Sequence, residues 1–130
     1  MPDKDNITLS NKSITSPAPE SYRKMIVRTA HFIGSVRADH QPEFNQHCDT
    51  VVLPLLKQFP DILSAAIERP FSSDTGAAPI YQIYRLQFLD EAAMFGALES
   101  PIRSRIHEAM ATILPWFEGE IVHYVSHVRA

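Results

Sequence analysis

Six histidines are spread through this 130-residue chain, and an imidazole that titrates near neutrality suits both proton transfer and metal binding. His123 and His127 share one parity of the run "EIVHYVSHVR". Four strand residues at roughly 3.3 Å each hold them about 13 Å apart, too far to share an ion bound at about 2 Å. With no His-x-x-x-His pair on a helix and no carboxylate cluster to compensate, neither a metal nor any other cofactor is expected. His31 offers more. If the first and last strands are antiparallel neighbours, a simple register sets His31 beside His123, where two imidazoles facing one pocket would share a proton and supply a base near neutral pH. The alternative is that one or both histidines fill an interface or the core.

Other side chains could join such a pocket. Tyr84, with Gln82 on the same strand face, would add a hydroxyl and an amide. Arg28 and Arg85 lie on neighbouring strands and would bind a carboxylate or pair with Glu68. Trp116 and Phe117, beside Pro115, would form an apolar wall or pack in the core. Cys48 is the only cysteine, which excludes an intrachain disulfide; it reads as a small buried hydrophobe. No Ser-His-acid arrangement appears, and none of the four glycines forms a G-x-G phosphate loop.

The whole chain narrows the class. Apolar residues make up 45% and charged residues 21%, near globular averages. A net charge of -3 with scattered basic residues argues against nucleic acid as a partner. No apolar run reaches the roughly 20 residues of a membrane span or has signal-peptide character, so no membrane partner and a cytoplasmic location are expected. Residues 1–22 are rich in Ser, Asn, Pro and charge and read as a flexible tail; residues 23–130 read as one domain.

Periodicity supplies the elements. "KMIVRTAHFI" predicts a strand over 24–33 that ends at Gly34. Pro42 then opens a helix with Phe44, Cys48, Val51, Leu55 and Phe59 on one face, widened by Val52 and Leu56. Strands are expected over 62–71 and 80–89, joined as a hairpin, with Pro70 marking the earlier one as an edge. Asp90 caps a short helix. Ser100-Pro101 opens another, with Ile102, Ile106, Met110, Ile113 and Phe117 on one face and Gly119 as its stop. A last strand covers 120–129. The order β-α-β-β-α-β is the ferredoxin-like α+β pattern: a four-stranded antiparallel sheet with both helices on one face. Because the strands carry apolar residues at both parities, the second face also needs cover. A second copy of the chain would provide it, giving a homodimer built as a dimeric α+β barrel.

The helix "HCDTVVLPLLKQFPDI" (47–62) carries Pro54 in its middle. The proline removes a bond to the Thr50 carbonyl and presses on it, at a cost of about 3 kcal/mol in an ordinary helix. A kink is expected there, either to follow the twisted sheet or to open a pocket wall of Val52, Pro54 and Leu55. Phe44, Pro54, Leu55 and Pro60, together with "MIVRTAHFIGSVR" and "SPIRSRIHEAMATILPWFEGEIVHYV", resemble the EthD-like group of the dimeric α+β barrel superfamily over about 24–129. The resemblance implies a histidine where this chain has Val52, and a glycine where it has Asp61.

The first functional reading is therefore an EthD-like homodimer acting on, or binding, a small hydrophobic or aromatic organic molecule. Its chemistry would be cofactor-free proton transfer of isomerase, dehydratase or oxygenase type, carried by His31 or His123 with Tyr84 donating a hydrogen bond. The ligand would rest against Val52, Pro54, Leu55, Trp116 and Phe117. The alternative is a non-catalytic ligand-binding or assembly module. Haem binding, as in distant barrel relatives, is a third reading.

Overall fold

The computed structural model describes residues 25–129; the tail expected over residues 1–22 lies outside the described residues. Four strands, β1 (Ile26–Val36), β2 (Ile62–Glu68), β3 (Ile80–Phe88) and β4 (Phe117–His127), form one antiparallel sheet in the order β2-β3-β1-β4. β2 and β3 pair directly, and β2 is an edge as expected, although it ends at Glu68, so that Pro70 lies beyond the strand rather than within it. Between β1 and β2 runs one helical segment: a 3-10 turn (Ala38–His40), α1 (Gln41–His47), a π turn (Cys48–Val52) and α2 (Leu53–Leu56). α3 (Glu91–Leu98) and α4 (Ile102–Ala111) connect β3 to β4, with a 3-10 turn at Leu114–Trp116. This is the ferredoxin-like α+β fold.

Strand alternation explains the layers. Ile26, Ala30, Phe32 and Val36 of β1 join Tyr84, Leu86 and Phe88 of β3 in one buried cluster with Phe44, Cys48, Val52, Leu56, Met94, Ile106 and Met110 from the helices. All helices thus cover the same sheet face. Each large side chain buried there contributes about 1.5–3 kcal/mol. Phe32 is central, with ring centroids 4.9 Å from Tyr84 and 5.4 Å from Phe117. The intervening residues Val27, Thr29, His31 and Ile33 point to the opposite face, beside Ile83, Val122 and Tyr124.

Pro54 is accommodated by a wider turn. Just before it the backbone lengthens its hydrogen bonds, so that the N–H of Leu53 reaches the carbonyl of Cys48, five residues back. The Thr50 hydroxyl donates to the Gln46 carbonyl at 2.7 Å within the same stretch. The wider turn also corrects the expected stripe. Phe44, Cys48, Val52 and Leu56 are buried, whereas Val51 is 39% exposed and Leu55 half-buried. Four-residue steps drift about 40° each on a straight α-helix at 100° per residue, and the π turn absorbs part of that drift. Arg69, just past β2, clamps this turn with two bonds to Asp49, at 2.9 and 3.3 Å, and a third to Gln82 at 3.3 Å.

Two other features behave as expected. Asp90 caps α3, its carboxylate accepting from the Ala93 N–H at 2.8 Å, and α4 begins directly after Pro101. Gly34 and Gly119 do not behave as expected. Neither ends an element: β1 continues through Gly34, α4 stops at Ala111, and Gly119 lies within β4, paired with Gly34. Phe117, assigned from sequence to a helix face, begins β4.

Candidate active site

A cavity of about 230 Å³ lies between α4 and the sheet. Its floor is Arg28, Ala30 and Phe32 of β1, Tyr84 and Leu86 of β3, and Ile121 and His123 of β4. Its roof is Arg103, Ile106, His107 and Met110 of α4, with Leu98 and Leu114 flanking; Leu56 and Phe59 close the end nearest the first helix. The cavity has a local cause. Ala30 sits between Tyr84 on one side and His123 on the other, so a single methyl group occupies the centre of the floor. An apolar cavity of about 150 Å³ already holds benzene, so the volume here is enough for a substituted ring.

His123 stands at the rim. Burial pulls its pKa below the usual 6.5, and the cations Arg28 and Arg103 lower it further. The neutral imidazole, a proton acceptor, is favoured near neutral pH. Tyr84 is among the residues that line the cavity. Its hydroxyl lies 3.1 Å from Cys48 Sγ and 3.3 Å from Met110 Sδ, and its one proton is shared between these weak sulfur acceptors. Burial, above all, pushes the Tyr84 pKa upward, so the phenol stays protonated. Burial also raises the pKa of Cys48, more than its bonds to Tyr84 and Gln82 lower it.

The shared-proton pair expected of His31 and His123 is not formed. The β1–β4 register sets His123 opposite Ala30 and His31 opposite Val122, and successive strand residues face opposite sides of a sheet. His31 therefore lies on the face away from the helices, bonded to Thr29 Oγ1 at 3.0 Å and edge-on to Tyr124 at 5.1 Å. Arg85 lies on that face too, opposite Thr29, so it cannot join Arg28.

The expected apolar wall is also displaced. Val52 is wholly buried in the core, Pro54 is exposed and Leu55 half-buried, and none of the three lines the cavity. The widened turn brings Leu56, rather than Leu55, to the sheet. Trp116 stacks flat on His40 with centroids 4.5 Å apart and borders a separate recess with Glu43 and His47. Phe117 packs on Phe32 and stays outside the cavity lining. Sequence reasoning missed Arg103 and His107, which line the cavity with Arg28. Arg28 had left a signal: a charged residue at the same parity as Ile26, Ala30 and Phe32. Among the described residues, no three His, Cys, Asp or Glu side chains come together as a metal site, and no helix is long and apolar enough to cross a membrane.

The fold has known counterparts. A protein of the ethyl tert-butyl ether D (EthD) family from Bacillus halodurans aligns with 81% of this chain and 99% of its own, at 12% identity and a TM-score of 0.65. A hydroxynitrile lyase from Passiflora edulis covers 82% of this chain and 95% of its own, at 12% identity and a TM-score of 0.59. A cofactor-independent oxygenase from Streptomyces nogalater does so at 11% identity, with coverage of 82% and 95% and a TM-score of 0.58. These likenesses show a ferredoxin-like α+β fold, and the resemblance to EthD-like proteins is found at the level of that fold alone. No protein-family model matches the sequence, and no curated protein matches it.

Proposed function

We propose that the chain is a small-molecule enzyme or binding protein of the EthD-like type, working in the cytoplasm as a homodimer on a small hydrophobic or aromatic compound. The observation that carries this reading is the cavity over Ala30: its walls are largely apolar, and its rim holds an imidazole whose protonation is disfavoured. In this reading His123 takes a proton from the bound compound and returns it. Tyr84 steadies a ligand oxygen, because the sulfur atoms that now accept its proton are weak competitors. No cofactor is required for such a transfer.

The homodimer reading rests on the sheet face away from the helices. Val27, His31, Ile33, Ile83, Val122 and Tyr124 share it, and Tyr124 is 55% exposed. Two such faces packed together would bury it. His31 then belongs to the assembly surface. Sedimentation at micromolar concentration is expected to give a dimer; a compact, stable monomer would remove this part of the proposal.

The ligand reading is tested by titrating small aromatic compounds and following the amide resonances of Ala30, Tyr84 and His123. Shifts centred on these residues are expected. Shifts confined to the recess beside Trp116 would sink the assignment. Val52, buried where the resemblance implies a histidine, favours a second reading, a non-catalytic binding module. Absence of turnover of any bound compound would favour that module; once a compound is turned over, loss of a general base in His123→Gln should cost about 10²–10⁴-fold in kcat, whereas unchanged turnover would remove His123 from the chemistry.

A further inference from the structure

One end of the cavity is basic although the chain as a whole carries a net charge of -3. Arg28, set between Leu86 and Val125 by the sheet register, and Arg103, in the first turn of α4, line the same space. No aspartate or glutamate is among the lining residues, and neither arginine joins any of the ion pairs among the described residues. The polar contact recorded for Arg103 is a long one, 3.5 Å to the Leu98 carbonyl.

Both positions run against local preference. Arg28 occupies a core-facing strand position, and its pKa falls through burial first and the nearby Arg103 second. Arg103 places a cation at the positive end of a helix dipole, in a first turn that carries no acidic residue. Residues that break local rules in this way concentrate at functional sites. An anion seated between the two guanidinium groups would relieve their mutual repulsion, pair each with a charge-assisted hydrogen bond, and favour the start of α4.

We propose that the cavity takes a small apolar carboxylate, its carboxylate held between Arg28 and Arg103 and its hydrocarbon end among Phe32, Phe59 and Ile106. The planar guanidinium fork matches a carboxylate in geometry as well as charge, and the remaining walls offer apolar contact to a ring or a branched chain. The inference rests on the reading of this cavity as the ligand site. It adds the charge class of the ligand, which the apolar walls do not specify.

The test compares p-toluate with its neutral isostere p-toluamide by calorimetric titration at neutral pH and low salt. The carboxylate is expected to bind at least about tenfold more tightly, as a charge-assisted contact should. Arg103→Gln, at an exposed helix position, should abolish that preference, and Arg103→Lys should retain part of it. Binding of p-toluate should also raise the His123 titration midpoint, because an anion nearby favours the imidazolium; p-toluamide should not. Equal affinity for the two compounds would overturn the carboxylate assignment while leaving the cavity as a ligand site. A preference that survives both Arg28→Gln and Arg103→Gln would also overturn it, since the anion would then sit elsewhere. Binding of neither compound would overturn both readings.

Discussion

Gly34 and Gly119 face each other across β1 and β4 so closely that neither position admits a side chain. A Cβ on Gly34 would lie 2.0 Å from the Glu118 carbonyl oxygen, and one on Gly119 2.0 Å from that of Ile33. Both residues have φ of +148°, a region that other residues rarely adopt. Gly119→Ala should therefore cost about 2–4 kcal/mol, combining a backbone clash with a strained dihedral. Because the two clashes displace the same piece of backbone, the double alanine variant should cost less than the sum of the single ones. Urea unfolding of the four proteins measures this; strict additivity would contradict a shared point of contact.

Asp61 is the one non-glycine residue with positive φ among the described residues, at 61°. It stands in the turn from α2 into β2, at the position where the EthD-like pattern has glycine. Asp61→Gly should stabilise the fold by up to about 1 kcal/mol, since the left-handed conformation costs an ordinary residue roughly 1–2 kcal/mol and aspartate somewhat less. A lower thermal midpoint in the glycine variant would mean that the carboxylate contributes more than its strain costs.

Ala30→Leu tests the origin of the cavity. In a well-packed core this change costs about 1–3 kcal/mol. Here the added carbons enter open space, and each buried CH₂ returns about 0.8 kcal/mol, so stability should change by less than about 1 kcal/mol. Binding of small aromatic compounds should be lost. Retained binding with a filled floor would move the site away from Ala30.

His123 also gives the molecule a pH dependence whose sign follows from its depressed pKa. The folded protein binds this proton less readily than the unfolded chain, whose midpoint lies near 6.5. Stability from this group is therefore complete above about 6.5 and is lost as the pH falls from there through the folded-state value. The effect is small, because solvent screens a side chain at the rim. The difference in thermal midpoint between wild type and His123→Gln isolates it from the other histidines. Wild type should fall toward or below the variant on acidification; a gap that widened in its favour would contradict the argument.

Much of the fold was legible because it rests on short-range pattern. The apolar alternation of β1, the Asp90 cap, the Ser100-Pro101 helix start and the edge signal of Pro70 are local and survive into the structure. The site was harder to read, because it depends on which residue faces which across two strands. His31 and His123 were paired from an assumed register one position away from the real one, and a shift of one residue reverses the face. Glycine read as a stop is what misled: Gly34 and Gly119 end elements by the usual rule, and here they permit two strands to approach. Nor does a helical wheel anticipate the π turn that exchanges Val51 and Leu55 for Val52 and Leu56. Arg103 lay on what reads as the wet side of an amphipathic helix; only the sheet opposite shows that it overhangs a cavity.

The glycine pair has a reach beyond its own site. Lacking side chains, Gly34 and Gly119 act as an index mark that lets β1 and β4 dock in only one alignment. Sliding either strand by a single place would turn the His123 imidazole outward and offer the cavity a valine or a tyrosine instead. The choice of the group that faces the cavity is thus made four residues farther along β1 from Ala30, where two backbones nearly touch.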